Sequence, residues 1–483
     1  MTGIGGYARS TPDALAMLTL QRRLTFAELD ARQQRLAGLL KAGGLRFRDR
    51  VAVWSANRVE SLEVTTGALR AGIVPVPVNS LLTPGEAAYM IEDSGARWLF
   101  TDRAVEPMPP LERVISFGDA YERCLHEAQP AELADYALGR PMHYTSGTTG
   151  TPKGVWVEPV GETAAAETSR DFAELWGLGP EEMHLVCSPL AHSAPHRFCL
   201  RTLEAGGTVV LQSRFEAAET LAAMELFGIT STFMVPTHLE RIFSLESVVL
   251  KRHYSRSLRV LVHAGAPIRE QTKRRAIEFF PEGSVWEFYG STEGAATRIS
   301  PEEWLRKPGS VGTPRPGTAI AIKDDDGHVL PPDGIGTVWI RDPRAERFAY
   351  WGDPEKTKSA WSGDSFTVGD SGRLDTDGYL YLEGRLDDTI ITGGVNVYPL
   401  EVETVLAEHP SVLECAVYGR DHPEWGQEVC ASVVATPGNS IDPEELRAWA
   451  RGHLAGFKCP RHIEVVPRLP RTATGKVLRR PPG

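Results

Sequence analysis

Membrane-length apolar runs and paired cysteines are both missing from this chain. No hydrophobic stretch approaches the ~18 residues that a membrane span needs, and the N-terminal segment has no apolar core of the kind found in signal peptides. The 6 cysteines are scattered through 483 residues, without a C-x-x-C pair or a metal-ligand spacing. We therefore expect a soluble, cytoplasmic protein with no membrane span, whose thiols stay reduced and mostly buried.

Positive charge is also in deficit. The chain has 52 Lys+Arg against 63 Asp+Glu, which gives a net charge of -11. Such an acidic total disfavours a general nucleic-acid binder, so no nucleic-acid partner is expected, although a local basic site is compatible with it. A chain of 483 residues is too long for one hydrophobic core, which predicts two or more domains.

Helix-like and strand-like segments alternate through the first three hundred residues. Thr25 precedes a helix that carries apolar residues at Leu29, Leu36, Leu39 and Leu40, and residues 50–54 have the pattern of a buried strand. This alternation predicts parallel sheets joined by helical crossovers. Later strand candidates end in glycine, proline or hydroxyl residues. Because ligands bind beyond the carboxyl ends of strands in open α/β sheets, we expect these endings to gather at one site.

The pattern changes after Gly317. Short alternating strands with D-D-D-G and P-P-D-G turns predict an antiparallel β unit. The charge cluster 385–388 is the best domain boundary, because a helix and further alternating strands after it predict a separate domain of ordinary size. The predicted fold is α/β, with a large N-terminal domain (1–386) of mixed and parallel sheets flanked by helices plus the β unit, and a small mobile α+β C-terminal domain (387–483).

A loop rich in glycine and hydroxyl residues stands out at positions 144–155, Y-T-S-G-T-T-G-T-P-K-G-V. Glycines let backbone N–H groups converge on an anion, and hydroxyls and a lysine add donors, so the loop is interpreted as a phosphate cradle. It is not the common NTPase loop, because Pro152 and Gly154 replace the glycine and the hydroxyl on either side of that motif's lysine. A flexible surface loop is the alternative. The candidate phosphate ligands are Thr145, Ser146, Gly147, Thr148, Thr149, Gly150 and Lys153.

Three later stretches extend the pattern: F-Y-G-S-T-E-G at 288–294, V-G-D-S-G-R-L-D-T-D-G-Y-L-Y-L-E-G-R-L-D-D at 368–388, and P-R-T-A-T-G-K-V-L-R-R at 470–480. With the loop, they make the chain resemble the adenylate-forming superfamily of acyl-CoA synthetases, peptide-synthetase adenylation domains and luciferases, and most of all its acyl-CoA ligase branch. The resemblance covers nearly the whole chain. It implies ATP- and Mg²⁺-dependent adenylation of a fatty or aryl carboxylic acid with release of pyrophosphate, then transfer of the acyl group to CoA.

The resemblance also implies a role for each matched residue. The phosphate loop would hold the β- and γ-phosphates, Thr292 the α-phosphate, and Glu293 the magnesium ion, a hard cation that oxygen ligands suit. Asp370 would accept hydrogen bonds from the ribose hydroxyls, with V-G-D here in place of the family's usual T-G-D. Tyr289 would lie against the adenine, and the turn with Gly265, Ala266 and Pro267 would line the adenine pocket, so it is called the adenine turn. Arg385 would contact the ribose and the phosphates, and Gly290 is the remaining nucleotide residue implied.

The catalytic and thiol-site residues are implied in the same way. Lys476 would bridge the attacking carboxylate and the α-phosphate, and Asp387 would be the hinge on which the terminal domain turns. A basic C-terminal stretch supports an anion-facing role for this end of the chain. His192 would gate the acid site, whose walls would include Phe233, Met234, Val235 and Trp286. Gly393 and Gly394 would line the passage of the CoA thiol.

Alternatives within the superfamily remain open. The acyl-adenylate could load a carrier protein, or the enzyme could activate a small inorganic acid such as nitrite to diazotise an aromatic amine. The basic residues His192, His196 and Arg197 would suit such a small anion. A third possibility is a catalytically silent ATP-binding scaffold, which the filled catalytic positions disfavour. The sequence therefore predicts an ATP-dependent, AMP-forming acid–thiol ligase as the leading function.

Overall fold

The computed structural model describes residues 2–103, 110–145, 152–253, 255–343, 347–471 and 477–479. The N-terminal part alternates helices with strands, as predicted. In chain order it contains α1 (Gly3–Ser10), β1 (Leu15–Leu18), β2 (Arg23–Thr25), α2 (Phe26–Ala42), β3 (Arg50–Ser55), α3 (Val59–Arg70), β4 (Val74–Asn79), α4 (Pro84–Asp93), β5 (Trp98–Thr101), β6 (Arg113–Ser116) and α5 (Asp119–Glu127). Strands β4, β3, β5 and β6 lie side by side in that order and pair in parallel.

The predicted helix after Thr25 shows why these elements form. The Thr25 side chain accepts a hydrogen bond from the backbone N–H of Glu28, and the Glu28 carboxylate accepts one from the backbone N–H of Thr25. This capping box satisfies N–H groups that a helix start leaves without partners. The predicted apolar residues of α2, Leu29, Leu36, Leu39 and Leu40, are all buried.

The middle of the chain builds the largest sheet. Its elements are β7 (His143–Thr145), β8 (Lys153–Val157), α6 (Glu162–Trp176), β9 (Met183–Val186), α7 (Ser193–Glu204), β10 (Thr208–Leu211), α8 (Ala217–Leu226), β11 (Ser231–Met234), α9 (Pro236–Phe243), α10 (Ser247–Leu250), β12 (Val260–His263), α11 (Glu270–Phe279), β13 (Val285–Gly290), β14 (Ala295–Ile299), α12 (Pro301–Arg306) and β15 (Thr313–Pro314). The strand order is β15-β14-β13-β12-β11-β9-β10-β1-β2. The strands from β13 to β1 pair in parallel, and the strands at both edges are antiparallel. The carboxyl ends of β9, β11, β12 and β13 therefore lie along one edge, as predicted.

The predicted antiparallel β unit follows. It contains β16 (Ala319–Lys323), β17 (Gly336–Arg341), β18 (Phe348–Tyr350), α13 (Pro354–Ala360), β19 (Trp361–Ser362), β20 (Ser365–Phe366), β21 (Asp370–Leu374) and β22 (Leu380–Arg385). These strands form an antiparallel sheet in the order β19-β20-β17-β21-β22, with β16 beside β17. The exception is β18, which leaves the unit and pairs with β8, so that β18, β8 and β7 make a sheet of their own.

A short 3-10 helix, Leu386–Asp388, leads into the terminal part of the chain. Its elements are β23 (Ile390–Thr392), β24 (Val395–Val397), α14 (Pro399–Ala407), β25 (Val412–His422), β26 (Gly426–Ala435), α15 (Pro443–His453), a 3-10 helix (Gly456–Lys458) and β27 (His462–Val465). The sheet order is β24-β23-β26-β25, with β27 parallel to β26. One cluster of buried side chains, which includes Val402, Val417 and Leu446, joins both helices to this sheet. The predicted fold class is confirmed, and the boundary at residue 386 stays a prediction.

The structure bears on two predictions, namely that the thiols are reduced and mostly buried and that no segment spans a membrane. All 6 cysteines are free thiols, and Cys187, Cys199, Cys430 and Cys459 are buried. In the part of the chain that the structure describes, no helix is both long and apolar enough to cross a membrane.

Three buried histidines lie inside the N-terminal layers, and among the described residues none of them has an acidic partner that would stabilise a proton. Burial lowers the pKa of His184 to about 3, and burial together with nearby arginines lowers the pKa values of His196 and His238 to about 3. His184 Nδ1 lies 2.8 Å from Ser231 Oγ, so the neutral ring still has a hydrogen-bond partner. These rings are uncharged near neutral pH because a charged imidazolium would lose its hydration.

Lowering the pH from about 7.5 to about 5.5 should therefore lower the free energy of unfolding. In the unfolded chain each of these histidines takes up a proton near pH ~6.5, whereas in the folded protein it does not, so protons bind preferentially to the unfolded state. We expect a loss of roughly 1 kcal/mol per histidine, measured as a fall in the urea midpoint. The variant His184→Gln should show a shallower pH dependence, and a slope equal to that of the parent protein would contradict this account.

Candidate active site

The two ends of the predicted phosphate loop are paired strands. Thr145 ends β7 and Lys153 begins β8, and the two residues face each other in the antiparallel register. The hydroxyl of Tyr144 donates to Asp93 Oδ2 at 2.6 Å, which anchors the loop at its start. Ser146, Gly147, Thr148, Thr149 and Gly150 lie outside the described residues, so their contacts with phosphate stay a prediction.

Lys153 of this hairpin forms an ion pair with a residue from a distant part of the chain. Its Nζ lies 3.3 Å from Asp353 Oδ2, at the residue that caps α13. The charge of Lys153 is thus partly balanced by the protein itself. The role of Lys153 in phosphate binding stays a prediction.

The predicted ribose and adenine residues come together at the edge of the large sheet. Tyr289 lies near the end of β13, and its hydroxyl donates to Asp370 Oδ2 at 2.6 Å. Asp370 and Arg385 are paired in the β21–β22 register, with Arg385 Nε 3.4 Å from Asp370 Oδ1. Burial, reinforced by the charge of Asp370, raises the pKa of Tyr289 well above its usual value, so Tyr289 keeps its proton and acts as the donor.

The turn after β12 lies exposed at the neighbouring strand end. Gly265, Ala266 and Pro267 follow His263, the last residue of β12, and all three are open to solvent. Gly290 is the last residue of β13, next to β12 in the sheet. The structure thus places these predicted nucleotide residues at the ends of adjacent parallel strands, where a planar base can reach them.

Thr292 and Glu293 lie in the turn that follows β13. Arg140 Nη1 donates to the backbone oxygen of Thr292 at 2.9 Å, and Ser193 Oγ lies 3.4 Å from Thr292 Oγ1. Glu293 is only 6% exposed, and its Oε1 accepts a hydrogen bond of 2.8 Å from the hydroxyl of Tyr350. The polar side of this turn is therefore held by residues from three distant parts of the chain.

The single carboxylate of Glu293 is a suitable ligand for a magnesium ion that binds together with a nucleotide. Among the described residues, the cluster of three potential metal ligands is Asp324, Asp326 and His328 on a mostly exposed turn of the β unit, and Glu293 does not belong to it. A single carboxylate is a typical protein contribution to Mg²⁺, because this ion takes its other ligands from phosphates and water. Glu293 would hold the ion, and the nucleotide would complete its shell.

His192 lies close to this turn. It is the N-cap residue of α7, directly before Ser193, and the backbone oxygen of Ala191 lies 3.0 Å from His143 Nδ1. The structure thus brings the predicted acid-site histidine next to Thr292 and to the start of the phosphate loop. The interpretation of a basic cluster assumed that His196 carries a positive charge, and the structure contradicts this assumption. Because burial lowers its pKa to about 3, it adds no positive charge near neutral pH.

One aromatic cluster contains three of the four residues that were predicted to line the acid site. Phe233, Val235 and Trp286 belong to it, together with Trp176 and other rings. Further members are Phe172, Phe198 and Phe288, and the rings of Phe198 and Phe233 stack with centroids 5.9 Å apart. Met234 was a wrong choice, because it is fully buried in a separate cluster with Leu185 and Leu261. Alternation along β11 turns Met234 to the opposite face of the sheet.

The predicted thiol-site glycines form the tip of the β23–β24 hairpin. Gly393 and Gly394 have φ values of 57° and 79°, a region that side chains other than glycine rarely adopt. Gly393 N–H donates to the backbone oxygen of Trp425 at 2.9 Å. The Trp425 ring stacks on His422 with centroids 4.1 Å apart, and the Arg461 guanidinium lies 3.6 Å from the centre of the same ring. Sequence reasoning missed this three-layer stack.

The predicted catalytic residue Lys476 lies outside the described residues, but both flanks of its segment are described. Arg471 and Val477 form an isolated antiparallel bridge. Arg479 donates to Asp388 Oδ2 at 2.6 Å and to both carboxylate oxygens of Glu403 at 2.8 Å. The C-terminal flank of the segment is thus attached to the 3-10 helix Leu386–Asp388 and to α14.

These contacts revise the interpretation of the basic C-terminal stretch. Lys458 lies 2.6 Å from Glu401, and Arg471 lies 2.7 Å from Glu414, in addition to the pairing of Arg479. Much of the positive charge of this stretch is therefore balanced by acids of the same domain. Composition counts charges along the chain, whereas pairing decides how much of that charge can act on a ligand.

Known proteins of similar sequence and structure are enzymes that activate acids. Feruloyl-CoA synthase of Amycolatopsis sp is 36% identical over 99% of this chain and 98% of its own length. The fatty acid–acyl-carrier-protein ligase ScoC of Streptomyces coeruleorubidus is 33% identical over 98% of this chain and 94% of its own. The structure of o-succinylbenzoate CoA synthetase (MenE) from Bacillus subtilis, in complex with ATP and magnesium ion, has a TM-score of 0.85 at 29% identity and covers 99% of this chain and 98% of its own.

Family models cover most of the chain as well. The AMP-binding enzyme model matches residues 6–347, and the model of the AMP-binding enzyme C-terminal domain matches residues 401–476. The first match contains the phosphate loop, the adenine turn and Glu293, and the second ends at Lys476. The resemblance to adenylate-forming enzymes is confirmed, and the chain belongs to the AMP-binding enzyme family.

Proposed function

We propose that this enzyme is an AMP-forming acid–thiol ligase that adenylates a carboxylic acid and then transfers the acyl group to CoA. The observation that carries the proposal is the meeting of Tyr289, Asp370 and Arg385 with Thr292 and Glu293 at one sheet edge. The first three suit the nucleoside end of ATP, and the last two suit its phosphates. Because the reaction uses ATP and CoA, we propose a cytoplasmic location.

The chemistry needs a better leaving group than a carboxylate oxygen. Attack of the acid on the α-phosphate of ATP gives an acyl-adenylate and pyrophosphate, and AMP then leaves when a thiol attacks the acyl carbon. Mg²⁺ bound with ATP neutralises charge on the phosphates. The residues mainly position the reactants and stabilise charge: Asp370 holds the ribose, Thr292 contacts the α-phosphate, and Lys476 bridges the acid and the α-phosphate.

The acid is proposed to be aryl or fatty. Aromatic rings cover one face of the large sheet along β11 and β13, where Trp286 and Phe288 are partly accessible and Phe233 is buried in the same cluster. Flat apolar walls favour an aromatic acid, because aromatic pairs gain energy beyond their buried area. The relatives named above act on ferulic, fatty or succinylbenzoic acids, which spans the same range.

CoA is the proposed acceptor because a stack of aromatic rings and a guanidinium group lies beside the glycines of the hairpin tip. Arg461 is exposed on the outer side of Trp425 and can meet a phosphate or a base of CoA, which carries both. Gly393 lies directly next to this stack, at the proposed path of the thiol. A carrier protein is the second candidate, supported by the relative ScoC, and it offers a phosphopantetheine arm without the nucleotide.

Pyrophosphate release, measured over fatty, aryl and inorganic acids with and without CoA, tests the whole proposal. We expect one acid class to release pyrophosphate and CoA to be consumed with formation of a thioester. Adenylation without a thioester would reject CoA and direct the test to carrier proteins. Nitrite-dependent AMP release in the presence of an aryl amine would instead support the diazotising alternative.

Replacing Lys476 by alanine should slow adenylation by about 10²–10³-fold, the effect of removing one group that stabilises transition-state charge. The measurement is the initial rate of pyrophosphate release with a saturating acid. The thioester step, started from a synthetic acyl-adenylate, should be much less affected. Near-normal pyrophosphate release would reject the assignment of Lys476.

Replacing Arg461 by glutamine should raise KM for CoA by about tenfold, because one charge-assisted contact with the nucleotide is lost. KM for ATP and the rate of pyrophosphate release should stay unchanged. Arg420→Gln is the matched control, since Arg420 is an exposed arginine of the same domain that pairs with Glu428 at 2.5 Å. Equal effects of both variants would argue against a CoA contact at Arg461.

A further inference from the structure

Tyr350 makes one polar contact that the predicted site did not include. Its hydroxyl donates to Glu293 Oε1 at 2.8 Å across 57 positions of sequence. Both side chains belong to buried residues, each 6% exposed. We propose that Tyr350 is a positioning residue that orients the Glu293 carboxylate toward magnesium-bound ATP. This inference rests on the proposed function of the site, and it adds a residue to which no role has been assigned.

Tyr350 is held firmly by its own strand. It ends β18, where it pairs with Val155 of β8, and its backbone N–H donates to Thr357 Oγ1 at 2.9 Å. The next residue, Trp351, donates its backbone N–H to the oxygen of Gly154 at 2.8 Å. Since the strand is fixed on both sides, the phenol reaches Glu293 from a rigid support, which is what a positioning group requires.

The geometry leaves one carboxylate oxygen for a metal. Tyr350 occupies Oε1, and no other described residue donates a hydrogen bond to Oε2. A donor on one oxygen sets the rotation of the carboxylate and the direction of the other oxygen. Groups that hydrogen-bond to metal ligands in this way typically change metal affinity by about 10–100-fold when they are removed.

The same short segment also reaches the phosphate loop. Asp353, three residues after Tyr350, lies 3.3 Å from Lys153 at the end of the loop. Trp351 Nε1 donates at 2.9 Å to the backbone oxygen of Asp93, whose carboxylate accepts the Tyr144 hydroxyl at the other end of the loop. The segment therefore spans from Glu293 to both ends of the phosphate loop, and a shift of Tyr350 would separate the metal ligand from the phosphates.

A purely structural role is the competing explanation. A buried carboxylate needs a donor whether or not it binds an ion, so loss of the hydroxyl would then destabilise the whole turn. The two roles differ in which ligand they affect. Positioning of Glu293 matters only when Mg²⁺ accompanies the nucleotide, whereas a distorted turn would weaken every nucleotide that touches Thr292.

The chain offers a matched pair of variants for this test. Tyr350→Phe and Tyr289→Phe each remove one phenolic hydroxyl that donates to a carboxylate, at Glu293 and Asp370 respectively. Calorimetric titrations of the full-length protein would measure the affinity for AMP, for ATP in EDTA, and for ATP with Mg²⁺. The melting temperature of each variant would be recorded in parallel.

We expect Tyr350→Phe to reduce the Mg²⁺-dependent gain in ATP affinity by about tenfold or more and to leave the affinities for AMP and metal-free ATP unchanged. Tyr289→Phe should weaken AMP and ATP alike, with or without Mg²⁺. A Tyr350→Phe protein with equal losses for all three ligands, or with no loss at all, would overturn the proposal. A parent protein that binds ATP with Mg²⁺ but releases no pyrophosphate with any acid would overturn the proposed function. The effect of Tyr350→Phe on the Mg²⁺-dependent ATP affinity could still be interpreted in that case.

Discussion

Carboxylates taken out of water need donors, and at this site tyrosines from other strands supply them. Tyr289 on β13 donates to Asp370 on β21, and Tyr350 on β18 donates to Glu293 after β13. Hydrogen bonds to charged acceptors are worth about 1.5–3 kcal/mol each, and leaving such an acceptor unpaired costs more. These two contacts link the large parallel sheet with the β unit and with the sheet that carries the phosphate loop. The proposed nucleotide site lies where the three sheets meet.

A second buried charge lies close to the adenine turn. Lys273 on α11 is fully buried and forms an ion pair with Glu287 on β13, and His263 Nε2 lies 3.8 Å from the same carboxylate. Buried ion pairs add little net stability, because both ions lose their hydration. A buried ion pair nevertheless requires precise geometry. This one joins the helix that follows the predicted adenine turn to the strand that carries Tyr289. The nucleotide turn is thereby attached to a rigid part of the core.

The C-terminal domain shows the same dependence on paired charge. Arg479, at the end of the segment that contains Lys476, pairs with Asp388 of the 3-10 helix before β23 and with Glu403 of α14. Burial of such a guanidinium is tolerated because two carboxylates surround it. The pairing ties the end of this domain to the residues next to the predicted hinge, and the free positive charge of the domain is smaller than its composition suggests.

Short-range patterns were enough for the sequence to predict the alternating elements and the helix cap at Thr25. The nucleotide roles of the loop at 144–155 and of Tyr289, Glu293 and Asp370 came from the resemblance of motifs to a family, and they stay predictions. Only the tertiary structure decided that Tyr350 reaches Glu293, that His196 is neutral, that Met234 faces away from the acid site and that the terminal arginines are paired. Local propensity and motif spacing act over a few residues, so a sequence reveals them directly. Burial, charge pairing and contacts across 57 positions depend on which distant strands become neighbours, and that arises only when the sheets assemble.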